Sequence, residues 1–436
     1  MSDSRRKTIT VAITTMLLAL VTSCAHPQAV SEAEIDGLVA KNDTVALAHL
    51  ADKACAGISG EKKMSCWQDY FVKLARSDRV HIALGALSSL GAEHPEVTRD
   101  GHMFTHIIGI RAYHEGADVR SIFRSCTGLF QSGCYHGVIQ AYLTEGGHLD
   151  SARAVKLCDV IAADEADRWL RFQCVHGEGH GFDMVANWDL PTALTHCNWL
   201  RTAWDRESCY GGAFMENAVA SAPGGHHVAM HAIDASTDSS VGHDSAMAGM
   251  NGMADMPMPD PTKITYKMRD SADALYPCSS LDSLYEFACY QLQGGLILER
   301  EHNDFGKAAA DCDKAPPIGR SQCYVSLGTN ASGMTVQNTP KVIDDCSHGD
   351  PGYQPFCFIG AVKNYIDVTA KADDGLNFCK EVPPGANRMQ CYSAVGEELS
   401  VLFSVDTASR AKACNNAPIE NVGDCRRGAG LAYKPM

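Results

Sequence analysis

Cys312-Asp-Lys-Ala-Pro-Pro-Ile-Gly-Arg-Ser-Gln-Cys-Tyr-Val-Ser-Leu-Gly328 sets two cysteines around a loop of turn formers, then an aromatic residue and a glycine. The same phrase recurs on both sides of it. Second cysteines open Cys209-Tyr-Gly-Gly, Cys289-Tyr-Gln, Cys357-Phe-Ile and Cys391-Tyr-Ser, with Gly212, Gly294, Gly360 and Gly396 close behind. First cysteines stand at Cys278, Cys312, Cys346, Cys379 and Cys414, a period of about 34 residues that marks helical hairpins stacked into a solenoid. Each unit reads as a helix ending near the first cysteine, a loop such as Asp313–Arg320 or Ser347–Gln354, and a helix starting at the second cysteine. The glycine falls where neighbouring helices press together. Leu284, Phe287, Ala288, Leu292 and Gly295 follow the i, i+3, i+4 spacing of one buried helical face. The predicted fold is all-α: a helical-hairpin repeat solenoid with a disulfide in each repeat.

Apart from Cys24, the cysteines fall into local pairs: Cys55/Cys66, Cys126/Cys134, Cys158/Cys174, Cys197/Cys209, Cys278/Cys289, Cys312/Cys323, Cys346/Cys357, Cys379/Cys391 and Cys414/Cys425. An even set of that size on an exported chain reads as a disulfide framework. Closing such short loops contributes about 2–4 kcal/mol each in the chain-entropy picture. The layout resembles the secreted, cysteine-rich branch of the tetratricopeptide-like repeat proteins, in which a disulfide ties successive helices. The likeness covers most of residues 50–430 in layout only: the C-x7-C spacing of that branch is matched by Cys126/Cys134 alone.

The N-terminus carries an address. Arg5, Arg6 and Lys7 precede an apolar run over Val11–Val21, too short to span a bilayer comfortably, and Val21-Thr-Ser-Cys24 follows. This order resembles the bacterial lipobox, which implies cleavage before Cys24 and lipidation of its thiol. Ala25, in place of Asp, implies an outer-membrane lipoprotein facing the periplasm. The expected layout is a signal peptide over 1–23, a tether over 24–31, helical repeats over 32–220, a flexible insert over 221–263 and further repeats over 264–430. A formal net charge of −15 argues against nucleic acid as a partner. The membrane, through the lipid, and a protein docked on the solenoid face are the partners expected.

Histidines are concentrated in the first half. Cys174-Val-His-Gly-Glu-Gly-His-Gly181 places His176 and His180 on one helical face and accepts three glycines to do so. Gly101-His102-Met-Phe-Thr-His106 repeats the spacing, and Cys134-Tyr-His136-Gly137 repeats the Cys-x-His-Gly core. His136 and His176 stand two residues after the second cysteine, where later repeats hold Gln291, Val325 and Ile359. His102 falls at the same place in a degenerate repeat without the cysteine. Three successive helices therefore bring His102, His106, His136, His176 and His180 to one point, a set suited to a metal ion. Glu178 is the candidate for a supporting carboxylate or a base. Gly177 and Met103 follow the first histidines, so this is not the zinc-protease helix, which needs glutamate there. No C-x-x-C-H haem motif, hydrolase triad phrase or phosphate loop is present.

The insert carries His226, His227, Met230, His231 and His243, then Met247, Met250, Met253, Met256 and Met258. Thioether and imidazole at that spacing suit Cu(I), and the segment resembles the Met/His-rich stretches of periplasmic copper-handling proteins. The expected function is copper handling, with iron or zinc as alternative ions. A metalloenzyme of oxidase or oxygenase type and a metal-free interaction scaffold are the competing classes.

Overall fold

A computed structural model describes residues 30–145, 150–162, 168–221 and 266–432. These residues form 21 α-helices and no strand. Cys24 and the residues expected to form the copper loop, from His226 to Met258, lie outside the described residues. Ser221, expected to open the insert, is the last residue of a helix.

Eight of the nine cysteine-paired repeats join a leading helix to a trailing one. The expected helix before Cys278 is corrected, because that cysteine lies in a 3-10 turn over Cys278–Ser280 and no α-helix is found over 266–277. The leading helices include α2 (Thr44–Ala54), α7 (Val119–Ser125), α9 (Ser151–Ile161), α11 (Leu190–Cys197), α14 (Phe305–Cys312), α16 (Thr339–Asp345), α18 (Ala372–Glu381) and α20 (Thr407–Cys414). Their starts are chemically specified. Asp43, Asp118, Asp150, Asp189, Asp304, Asn338 and Asp406 each accept a backbone N–H of the first turn through the side chain. Such caps satisfy donors that the helix itself cannot, and each contributes about 1 kcal/mol.

The trailing helices are α3 (Glu61–Leu74), α6 (Gly101–Ala112), α8 (Gly133–Thr144), α10 (Arg168–Val185), α12 (Ala203–Ser221), α13 (Glu286–Arg300), α15 (Pro317–Met334), α17 (Gln354–Thr369), α19 (Ala386–Leu402) and α21 (Val422–Gly428). Each packs on the next in that order. Close crossings are made by glycine against backbone. A Cβ on Gly360 would sit 1.9 Å from the Val325 carbonyl oxygen, and one on Gly328 would sit 1.8 Å from that of Cys357. Gly396 and Gly428 make the same reciprocal contact between α19 and α21.

All nine disulfides join the neighbours expected from the spacing. They are Cys55–Cys66, Cys126–Cys134, Cys158–Cys174, Cys197–Cys209, Cys278–Cys289, Cys312–Cys323, Cys346–Cys357, Cys379–Cys391 and Cys414–Cys425. The expected start of the trailing helix at the second cysteine is corrected. Cys66 lies inside α3, Cys323 inside α15 and Cys425 inside α21, each after the helix has begun. Cys66 is also only half-buried, whereas Cys323 and Cys425 are fully buried. Local chemistry accounts for the early starts. Proline stands in the first turn of α15 and α17, where its fixed φ suits the helix, and Gly60 turns the chain into α3 at a φ of 61°. The aromatic residue after the second cysteine reaches back across the loop: the Tyr135 hydroxyl donates to the Cys126 carbonyl at 3.0 Å and that of Tyr324 to Asp313 at 2.9 Å.

One predicted face holds only in part: Ala288 is buried and Leu292 packs against the core. Leu284 and Phe287 are 56% and 43% exposed, and Gln291 is exposed too. Leu284 lies in a 3-10 turn over Ser283–Tyr285, and α13 begins only at Glu286, so one α-helical period cannot run through both. Far from that junction, the Phe130 and Gln131 amides donate to the Val368 and Asp367 carbonyls at 3.2 and 3.0 Å. The loop between α7 and α8 is thereby tied to the end of α17.

Candidate metal centre

Glycines set the geometry of the centre before any histidine does. On Gly137 a Cβ would lie 2.1 Å from the His106 carbonyl oxygen, and on Gly109 2.2 Å from that of Cys134, so α6 and α8 touch backbone to backbone. Within α10, a Cβ on Gly179 would lie 2.0 Å from the Cys209 carbonyl oxygen of α12, while Gly177 faces Ile139 and the His136 Cα of α8. The helix-weakening glycines are thus what lets α8, α10 and α12 come together.

Five imidazoles converge in the space so formed. Ring centroids of His102 and His106 are 4.8 Å apart, His102 and His136 5.5 Å, and His106 and His136 5.3 Å. Those of His136 and His176 are 4.7 Å apart, His176 and His180 5.2 Å, and His106 and His180 4.9 Å. Donor atoms of His102, His106 and His136 lie within 4.8 Å of one another, as do those of His136, His176 and His180. His136 belongs to both triads. Nitrogen–metal bonds of about 2.0–2.1 Å place donors about 3–3.5 Å apart, so either triad closes on an ion by inward shifts of about an ångström.

One nitrogen of each ring is held from behind. His102 Nδ1 donates to the Phe130 carbonyl at 3.0 Å, His106 Nδ1 to Gln140 Oε1 at 3.3 Å and His136 Nε2 to Gln173 Oε1 at 2.8 Å. The ring of His176 bonds the Ser208 backbone, and His180 Nδ1 donates to Glu216 Oε2 at 2.9 Å. These bonds define the tautomers. They leave His102 Nε2, His136 Nδ1, His176 Nε2 and His180 Nε2 buried with no hydrogen-bond partner. A buried polar atom without a partner is unfavourable by about 1–3 kcal/mol, and four of them crowd together here.

Electrostatics keeps the lone pairs available. Burial lowers the His102 pKa to about 4. Burial, then the neighbouring imidazoles, hold His136 and His176 well below the ordinary range. Those three rings are neutral at pH 7, the form in which imidazole ligates a metal.

The supporting carboxylate is Glu216 of α12. Its Oε1 also accepts from Trp188 Nε1 at 3.3 Å, and the carboxylate–histidine pair is the arrangement that orients and strengthens a metal-binding imidazole. Glu178, expected in that role, is fully buried and makes no hydrogen bond to any of the five histidines. It is two residues from each histidine of its own helix, on another face, and burial followed by Asp205 raises its pKa well above the usual carboxylate range. Gln140 and Gln173 had a faint sequence signal: each stands one helical turn from a histidine of the cluster, His136 and His176 respectively.

The chain resumes beside this centre after the segment 222–265. Ala220, at the end of α12, and Met268 pack with Met184 and Trp188, just beyond His180, with Tyr266 against them. Among the described residues no helix is long and apolar enough to cross a membrane. No known protein family matches the chain, and neither does any curated protein or solved structure.

Proposed function

We propose that this chain is a metal-binding protein that holds a transition-metal ion on His102, His106, His136, His176 and His180, and that the ion is copper. The observation that carries the reading is the set of bare, buried nitrogens on His102, His136, His176 and His180, each opposite a nitrogen already bonded from behind. All-nitrogen ligation suits copper, zinc or iron. Copper is favoured by the Met/His-rich segment, whose flanking residues Ala220 and Met268 pack just beyond His180. His136 has one bare nitrogen and serves both triads, which favours one ion at a time over a fixed pair. The lipobox around Cys24 and the nine disulfides support a lipid-anchored protein in an oxidising periplasm.

The test is anaerobic competition for Cu(I) against a chromophoric chelator, with Zn(II) and Fe(II) titrated in parallel. The wild type should bind copper most tightly, and His136→Ala should lose one equivalent. Equal uptake by the two proteins would refute the assignment. A second reading, a metalloenzyme, is favoured by a single observation. His102 is less buried than the other four histidines and lines a cleft.

A further inference from the structure

The loop that ties α7 and α8 to α17 is strained. Phe130, Gln131 and Ser132, none of them glycine, follow one another in the left-handed region with φ of 50°, 58° and 65°. L-residues resist that conformation, and a run of them persists only where the surroundings impose it. Here the surroundings act from several sides. The Cys126–Cys134 disulfide brackets the loop, and the buried Phe130 ring lies against Gly101, where a Cβ would come within 2.3 Å of it. The Phe130 and Gln131 amides donate to the carbonyls of Val368 and Asp367. Both carbonyls belong to the last turn of α17 and have no partner within that helix, so the loop serves as its C-terminal cap. From the opposite side, His102 Nδ1 donates to the Phe130 carbonyl at 3.0 Å.

That carbonyl and the Gln131 N–H are the two ends of one peptide group. His102, this peptide and Asp367 therefore form a single hydrogen-bond chain: Nδ1–H to the Phe130 oxygen, then the Gln131 N–H to the Asp367 oxygen. Bonds in such a chain polarise and strengthen one another. An ion on the bare His102 Nε2 would make Nδ1–H a stronger donor and fix the ring that carries it.

We infer that the tying loop links metal uptake at His102 to docking of the loop on α17. The inference rests on the metal centre proposed above and names its regulation. In the tied state the loop keeps its left-handed run, caps α17 and orients His102. In the released state the strain relaxes, and His102 loses the carbonyl that fixes its tautomer. An ion on His102 favours the tied state, and by reciprocity an event that frees the end of α17 weakens the hold of His102 on the ion.

Hydrogen exchange of the full chain, read by mass spectrometry on the segment containing Phe130 and Gln131, tests the link because it reports local opening. Metal-free protein is compared with protein at saturating Zn(II). Zinc should slow exchange of these two amides about tenfold, within the range usual for linked sites. The same comparison is made in His180→Ala and in His102→Ala, each at zinc concentrations that saturate it. The slowing should persist in His180→Ala, which keeps the triad of His102, His106 and His136, and vanish in His102→Ala, which keeps that of His136, His176 and His180. Exchange unaltered by bound zinc in the wild type, or slowed as much in His102→Ala, would overturn the inference and leave the metal centre standing. A wild-type chain that takes up no Zn(II), Co(II) or Cu(I) would overturn both.

Discussion

Among the five histidines, His136 has the position on which the others depend. It sits in both triads, and Gln173 fixes its proton on Nε2, leaving Nδ1 as its donor. Glu216 acts one bond further out, through His180. Replacing Glu216 by Gln keeps the shape but removes the charge, and loss of such a supporting group lowers metal affinity about 10–100-fold. Isothermal titration at pH 7 checks this, and an unchanged affinity would show that the carboxylate only packs. Protonation of the buried imidazoles in the metal-free chain has a definite sign. The His102 pKa is about 4 when folded against about 6.5 unfolded, so the unfolded chain binds more protons between those values. In the chelator-treated protein His102, His136 and His176 therefore each withdraw stability as pH falls from about 6.5 towards 4, while Glu178 and Asp183, whose pKa values burial raises, act in the opposite direction. The difference in melting temperature between the wild type and His102→Gln across that range isolates the imidazole, and a difference that does not change with pH would mean that His102 is not held neutral.

At the scale of elements, glycine decides how closely trailing helices approach. Gly179→Ala drives a methyl into the Cys209 carbonyl, which is backbone and cannot step aside, so α10 and α12 must separate. Overpacking of that kind is destabilising by about 1–3 kcal/mol. Gly333→Ala meets nothing within 4 Å inside α15 and should stabilise by about 0.5–1 kcal/mol. Urea denaturation of the two variants should move in opposite directions. The repeat, its disulfides and the role of its glycines were legible in the sequence because covalent spacing and close approach leave recurrent residues at recurrent places. The five-histidine cluster was legible by register for the same reason. Helix starts were less legible: Cys66, Cys323 and Cys425 mark where the disulfide closes, and the turn residues ahead of them decide where the helix begins. The run from Leu284 to Phe287 misled similarly, since its apolar spacing spans a 3-10 turn and a helix start. Glu216 was not legible as a partner of His180, because the pairing joins two helices and depends on their rotation. The aspartate and asparagine caps of the leading helices were in view but become meaningful only once the helix starts are known.

At the scale of the molecule, the chain of trailing helices is continuous from α3 to α21, and the loop between α7 and α8 ties back to α17. The histidine cluster that could hold a metal occupies α6, α8 and α10 and draws its supporting groups from α8, α10, α12 and the tying loop. Residues 222–263 contribute to none of the described disulfides, so their deletion should leave all nine intact by peptide mapping. Total Cu(I) uptake should fall, and unchanged uptake would reduce the segment to a linker. The most direct measurement of the central claim is elemental analysis of that deletion variant purified from its native compartment, with and without His136→Ala. The account predicts about one copper ion per chain in the first protein and none in the second. Metal-free protein in the first case, or equal metal in both, would contradict it.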